Sequence, residues 1–234
     1  MISHELKSLF YVAMRLPMKL NAAFYKSFRA PNVGEVKVHL GPGQKNYIDG
    51  WINLDANFIT AKVDVWADLA NPLPFRDATV DAFYSHHVIE HLPDPVIVSL
   101  FNEMYRCLKL GGVIRVGGPD GDTAIRKFLE NDKSWFGDWP DKRESIGGRF
   151  ANFIFCRGEH VTMLSRSYLT ELATDAKFER LVFCAPGDET NHPALIDEHV
   201  LRKEEEPTPS APHTVILEAV KPALSRQASD TYLK

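Results

Sequence analysis

The 234-residue chain reads as an α/β protein: a Rossmann-like, mostly parallel seven-stranded sheet with an antiparallel edge hairpin and helices on both faces. Three observations carry this reading. From residue 36 onward, short runs rich in β-branched and aromatic residues alternate with stretches of helical periodicity, as in parallel strands joined by crossovers. The first run, Val36-Lys37-Val38-His39-Leu40, ends in a glycine turn, Gly41-Pro42-Gly43, and the second, Trp51-Ile52-Asn53-Leu54, is closed by an acid, Asp55. Such a pair can hold a nucleoside, because glycines let backbone approach the ligand and the acid accepts hydrogen bonds from ribose hydroxyls. The runs at 181–184 and 214–220 have no clear helix between them, which predicts the antiparallel hairpin.

The elements follow in order. Residues 1–33 stand apart as an amphipathic helical extension. Residues 1–31 hold five basic side chains against Glu5, a net +4 in a chain of net −4. Leu6, Leu9, Phe10, Ala13 and Met14, then Leu16, Leu20, Phe24 and Phe28, recur at helical spacing, and Pro17 predicts a break into two short helices. The extension is expected to cap an edge of the core or pocket. The alternative is a basic, aromatic surface against a membrane or protein partner. Residues 34–222 are the folded domain. Strands are predicted at 63–66, 80–85 and 113–116, a capped helix at 94–110 stopped by Gly111-Gly112, and helices at 123–131 and 165–176. Residues 134–158 are aromatic, glycine-rich and unassigned. The charged run 203–209 is expected to be a solvated loop, and 223–234 a loose tail.

Composition excludes several classes. A net charge of −4 argues against broad nucleic-acid binding. Cys107, Cys156 and Cys184 are odd in number and far apart, which points to a reducing cytosol rather than a disulfide framework. No apolar run approaches the ~20 residues of a membrane span, and the start lacks the order of a secretory signal. The expected location is cytoplasmic, with peripheral attachment at the inner membrane face if residues 1–31 bind lipid.

The residues resemble class I S-adenosylmethionine (SAM) dependent methyltransferases of the type 11 branch. Val38-His39-Leu40-Gly41-Pro42-Gly43 is similar to their first motif, and Asp55 takes the place of the ribose-binding acid. Asp68-Leu69 resembles the pair that reads adenine. Residues 81–92, with Ser85, His86, His87, Glu90 and His91, resemble the fourth-strand signature, and Leu108-Lys109-Leu110-Gly111-Gly112 the turn into the fifth strand. Gly158-Glu159-His160 and residues 178–191 resemble a subgroup found near bacterial glycan-biosynthesis genes. The resemblance implies SAM as cofactor, held by His39, Gly41, Gly43, Asp55, Asp68, Leu69, Ser85 and His86. Two departures stand out. His39 replaces the usual acid, and Lys45 replaces the third glycine. Ten residues, 41–50, join the first two strands, where a parallel crossover usually needs about a dozen, so the first helix is a single turn or missing.

Two competing chemistries fit less well. A dinucleotide fingerprint needs glycine where Asn46 stands, and so short a crossover offers a pyrophosphate little helix N-terminus. His87-Val88-Ile89-Glu90-His91 matches the zinc-hydrolase pattern H-x-x-E-H, with Glu159 as a third ligand, but Pro93 and Pro95 leave only a brief helical turn. No metal is expected.

The expected reaction is methyl transfer to a small molecule or glycan intermediate, most readily at oxygen. A catalytically inert SAM-binding scaffold is the alternative, encouraged by His39 and the short loop. A hydroxyl acceptor benefits from a general base, for which His160 and Asp120 are the candidates. Asp120 could equally cap the helix after it, and His160 could equally brace a loop. His192 is a third candidate, though Pro193 beside it reads as a turn. Trp135, Phe136 and Trp139 either line an acceptor pocket or anchor the packing.

Overall fold

The computed structural model describes residues 4–187, 189–206 and 211–223, with side chains from residue 12 onward. The predicted tail at 223–234 lies outside it except for residue 223, as do residues 207–209 of the charged run. Strands β1 (Lys37–Leu40), β2 (Ile52–Asp55), β3 (Val65–Trp66), β4 (Val80–His86), β5 (Leu108–Pro119), β6 (Glu179–Cys184) and β7 (Thr214–Val220) form one sheet. Their order is β3-β2-β1-β4-β5-β7-β6. β1 to β5 pair in parallel, whereas β7 is antiparallel to both β5 and β6, and the β6–β7 pair is the antiparallel edge hairpin that the sequence predicts.

One face of the sheet is apolar. In register across it lie Ile52, Val38, Phe83, Ile114 and Ala219, then Leu54, Leu40, Ser85, Val116, Leu217 and Phe183. Helices α2 (Asp94–Cys107) and α5 (Arg166–Asp175) cover this face with Ile97, Leu100, Phe101, Met104, Leu169, Leu172 and Ala173. α2 ends at Cys107 rather than at 110. Leu108 is already extended and pairs with Val80, and Gly111, at φ +81°, gives its N–H to Lys221 O.

The opposite face carries a polar row in register: Asn53, His39, Tyr84, Arg115 and Glu218, one from each of five neighbouring strands. No crossover helix follows β1. The excursion between β6 and β7 takes its place, laying Ile196 and Val200 of α6 (Glu198–Leu201) and its approach on Ile48, Trp51, Ala82 and Tyr84. Here the expectation of a solvated charged loop fails. Glu204 is 1% exposed and grips the Arg115 guanidinium at 2.8 and 2.6 Å, while Glu218 takes its third contact at 2.7 Å. A buried arginine needs these carboxylates, so Glu204 points inward while Glu205 beside it stays exposed.

Helix α1 (His4–Phe28) runs unbroken through Pro17, contrary to the predicted break. The turns after the proline are held by tertiary contacts that offset its cost. Met18 and Ala22 are buried, and Asn21 Nδ2 donates to Trp66 O at 2.7 Å. The unassigned stretch contains α4 (Ile146–Phe155), capped by Ser145. Trp135 and Phe136 are buried against Ala124 and Ile154, and Trp135 Nε1 donates to Ala211 O. They are packing anchors, while Trp139 is exposed.

Candidate cofactor and methyl-transfer site

The site lies beyond the carboxyl ends of β1, β2 and β4, where open α/β sheets bind their ligands. Gly41, at φ +69°, passes so close to β4's end that a Cβ would stand 2.5 Å from a Val88 methyl. Gly43, at φ +55°, faces open space where its Cβ would be. Its N–H donates to Asp55 Oδ2 at 3.0 Å, and Asp55 Oδ1 accepts from Asn57 N–H at 2.8 Å. The glycine loop and the acid are thus braced against each other. The ten-residue connection makes one helical turn, closed by Asn46 N–H on Pro42 O. Just past β3, Asp68 Oδ1 accepts from Ala70 N–H at 2.9 Å and Leu69 is buried.

Ser85 and His86 end β4. Ser85 Oγ and His86 Nε2 are both buried without a hydrogen-bond partner among the described residues. Burial, with His87 and Arg115 nearby, pushes the His86 pKa well below the usual imidazole range, so the ring is neutral. The two side chains alternate to opposite faces of the sheet, and each leaves an orphaned polar atom near the carboxyl end of β4 that a ligand there could satisfy.

His39 is placed differently. It is buried in the polar row, packs on Tyr84 and pairs Nδ1 with Asn53 Oδ1 at 3.0 Å. Asn53 Nδ2 donates to Ile48 O and Trp51 O, which leaves its oxygen to accept, so Nδ1 carries the proton. Burial lowers the His39 pKa to about 4. The ring braces β1 against β2, whereas the glycine loop is held by Asp55.

Asp120 caps helix α3 (Gly121–Leu129), with Oδ1 accepting from Thr123 N–H and Oδ2 from Thr123 Oγ1. Both oxygens are committed and the residue is buried. His192 receives no side-chain partner from the other candidates; its backbone N–H donates to Thr190 Oγ1. His160 sits elsewhere, in a cluster around Glu90. This carboxylate is 1% exposed and has His87 Nδ1 at 3.2 Å, His91 Nε2 at 3.9 Å and His160 Nε2 at 4.0 Å. The sequence places Glu90 in the fourth-strand signature and in the H-x-x-E-H pattern, neither of which marks it as the hub of this cluster. The available signal was an acid inside the run Val88-Ile89-Glu90-His91-Leu92. The H-x-x-E-H geometry itself is not formed, because 89–91 make only a three-residue 3-10 turn and the converging ligand atoms belong to Glu90, His91 and His160.

Residues 52–116, which include Asp55, Asp68 and the 85–91 segment, match the family model described as a methyltransferase domain. No curated protein matches the sequence. Among solved structures, a SAM-dependent methyltransferase from Thermotoga maritima is similar at 18% identity over 92% of this chain and 94% of that one, with a TM-score of 0.50. A SAM-dependent methyltransferase from Archaeoglobus fulgidus is similar at 16% identity over 92% and 99% of the two chains, with a TM-score of 0.48. One from Mesorhizobium loti is similar at 15% identity over 85% and 97%, with a TM-score of 0.46. The Thermotoga likeness shows the Rossmann-like methyltransferase fold. The chain is an enzyme, a methyltransferase that uses SAM as cofactor.

Proposed function

We propose that the chain transfers the methyl group of SAM to an oxygen of a small-molecule or glycan-intermediate acceptor. Gly41, Gly43, Asp55, Asp68, Leu69, Ser85 and His86 would hold the cofactor, and His39 would support the loop from behind. SAM supplies an electrophilic methyl on a sulfonium, and the chain's work is to orient the acceptor in line, exclude water and take a proton. Oxygen is favoured by one observation. His160 Nδ1–H is held by Ile154 O at 3.1 Å, which leaves the Nε2 lone pair directed inward beside Glu90. Burial lowers its pKa, so this lone pair is available at neutral pH. A hydroxyl needs such an acceptor for its proton, whereas a carboxylate or free amine does not. Asp120, occupied by its cap, is the weaker candidate. The glycan part rests on the resemblance of residues 158–160 and 178–191.

The test is transfer of labelled methyl from SAM into hydroxylated sugars and sugar nucleotides. His160→Ala should lower kcat at least about 100-fold while S-adenosylhomocysteine binding is kept. Label found in an N-methyl product would overturn the oxygen reading, and label in a base-labile methyl ester would overturn the hydroxyl acceptor.

The exposed face of α1 favours a peripheral membrane role alongside this. Val12, Leu16, Leu20, Phe24 and Phe28 form a stripe along the helix, each more than half exposed, with Arg15 and Lys19 beside it. No helix among the described residues is long and apolar enough to cross a membrane. Co-sedimentation with phosphatidylserine vesicles should be lost in Leu20→Glu/Phe24→Glu. Equal sedimentation of both proteins would refute the attachment.

A further inference from the structure

We infer that Glu90, His91 and His160 form a binding site for a divalent transition-metal cation of the zinc type. The first ground is the tautomers. His91 Nδ1 lies 2.9 Å from Glu159 O, and His160 Nδ1 lies 3.1 Å from Ile154 O. A carbonyl only accepts, so each Nδ1 carries the hydrogen and each neutral ring turns an Nε2 lone pair inward. Those lone pairs meet Glu90 Oε1 at 3.9 and 4.0 Å, and one ligand atom from each of the three residues lies within 4.8 Å of the others. Three acceptors therefore converge with no hydrogen between them. A cation is the species that such a set attracts.

The second ground is independent. Glu90 Oε2 is buried and has no hydrogen-bond partner among the described residues. The residue lines a cavity of about 10 Å³ together with His160 and Thr162. A buried carboxylate with one oxygen left unpartnered is under-satisfied, and a cation bound by the residue would offset that cost.

The third is the outer layer. Metal-ligating imidazoles characteristically give their other N–H to a backbone carbonyl, and ligating carboxylates are themselves hydrogen-bonded. Both imidazoles here do the first, and His87 Nδ1, 3.2 Å from Glu90 Oε1, provides the second. Two imidazoles and a carboxylate are the donors of open zinc sites, with metal–ligand distances of about 2.0–2.2 Å. Closing the present spacing around an ion needs the ligand atoms to approach one another by up to about 1.5 Å, on the same distances. His91 is 39% exposed on its side chain, which leaves a path for entry and an open coordination position. The set differs from the H-x-x-E-H reading, since His87 serves the carboxylate and His160 comes from a distant loop.

Binding of the ion does not depend on the proposed acceptor, but its role does. A bound ion would occupy the His160 Nε2 lone pair, so His160 serves as base in the metal-free protein and as ligand in the loaded one, where the ion would supply Lewis acidity. The experiment therefore reads metal, not turnover. Untagged full-length protein is stripped with chelator and titrated with Zn²⁺ against a chromophoric competitor. One equivalent should bind, and Co²⁺ in its place should give the intense visible bands of a low-coordinate nitrogen–oxygen site. Glu90→Gln and His160→Ala should each weaken Zn²⁺ binding by about 100-fold or more, with S-adenosylhomocysteine binding as the check on folding. Failure to take up one equivalent at micromolar Zn²⁺, or uptake that both variants leave intact, overturns the site. If a variant loses its fold, the wild-type Co²⁺ spectrum decides, and absence of the bands refutes the inference.

Discussion

The two faces of the sheet solve the same burial problem with opposite chemistry. On one, α2 and α5 press aliphatic and aromatic side chains onto rows such as Ile52-Val38-Phe83-Ile114. On the other, an irregular excursion closes over His39, Tyr84, Arg115 and Glu218. The apolar face needs only volume and is held by non-directional burial. The polar face needs every partner present, because an unpaired buried charge costs more than a lost methylene. The difference traces to the short β1–β2 connection. With no crossover helix to cover this face, a loop must do it, and a loop's exposed backbone groups and charges need buried partners. Arg115 supplies them: Nη1 donates to Glu189 O as well as to Glu218.

Arg115→Ala should have the largest effect, leaving Glu204 and Glu218 buried and unpaired at a cost of about 3–5 kcal/mol by urea unfolding. Replacing all three with Met, Leu and Leu should recover most of that loss. If the single and triple variants are equally unstable, the loop is held by something other than these ions. On the apolar face, Leu100→Ala should cost about 2–5 kcal/mol through the cavity it leaves, with no dependence on pH.

Acid should separate the faces next. The His39 pKa is lowered to about 4 by burial, so between its unfolded value near 6.5 and that point the unfolded chain binds the extra proton. Its contribution is complete above pH 6.5 and falls by on the order of 3 kcal/mol as pH drops to 4. Glu218 acts lower. Burial raises its pKa, but bonds from Thr190 and Asn191 and the Arg115 charge outweigh this, so its contribution is lost as pH falls through a depressed value. His39→Asn keeps a donor for Asn53 and should flatten the stability profile between pH 6.5 and 4. An unchanged slope would mean that His39 is already charged in the fold. The smallest effect is expected for Asp120→Ala, about 1 kcal/mol from the lost helix cap. A large loss of turnover with stability intact would instead restore Asp120 as a base.

The apolar face was legible in the sequence because alternation and helical spacing report it directly. The mostly parallel pairing followed from alternating elements, and Gly43 and Asp55 could be paired from their positions at successive strand ends. The polar face was not legible. Glu204 sits in a run of three glutamates that resembles any solvated loop, and only Arg115, 89 residues away, makes it a core residue. His39 was readable as a departure from a motif, but its partner Asn53 is identified only by strand register. Pro17 misled for a similar reason, since local cost predicts a break and docking of Met18 and Ala22 overrides it. Among the site residues, His160 could be named from its motif, while its convergence with Glu90 depends on a loop that returns Val161 and Thr162 N–H to Glu90 O.

The most direct measurement of the account is calorimetric titration of S-adenosylhomocysteine into wild-type protein and Asp55→Ala. One site per chain is predicted for wild type, with a loss of about 100-fold or more in the variant, since Asp55 braces the glycine loop and, in the proposed site, would accept from the ribose hydroxyls. Binding of equal strength in both proteins would contradict the site as built here.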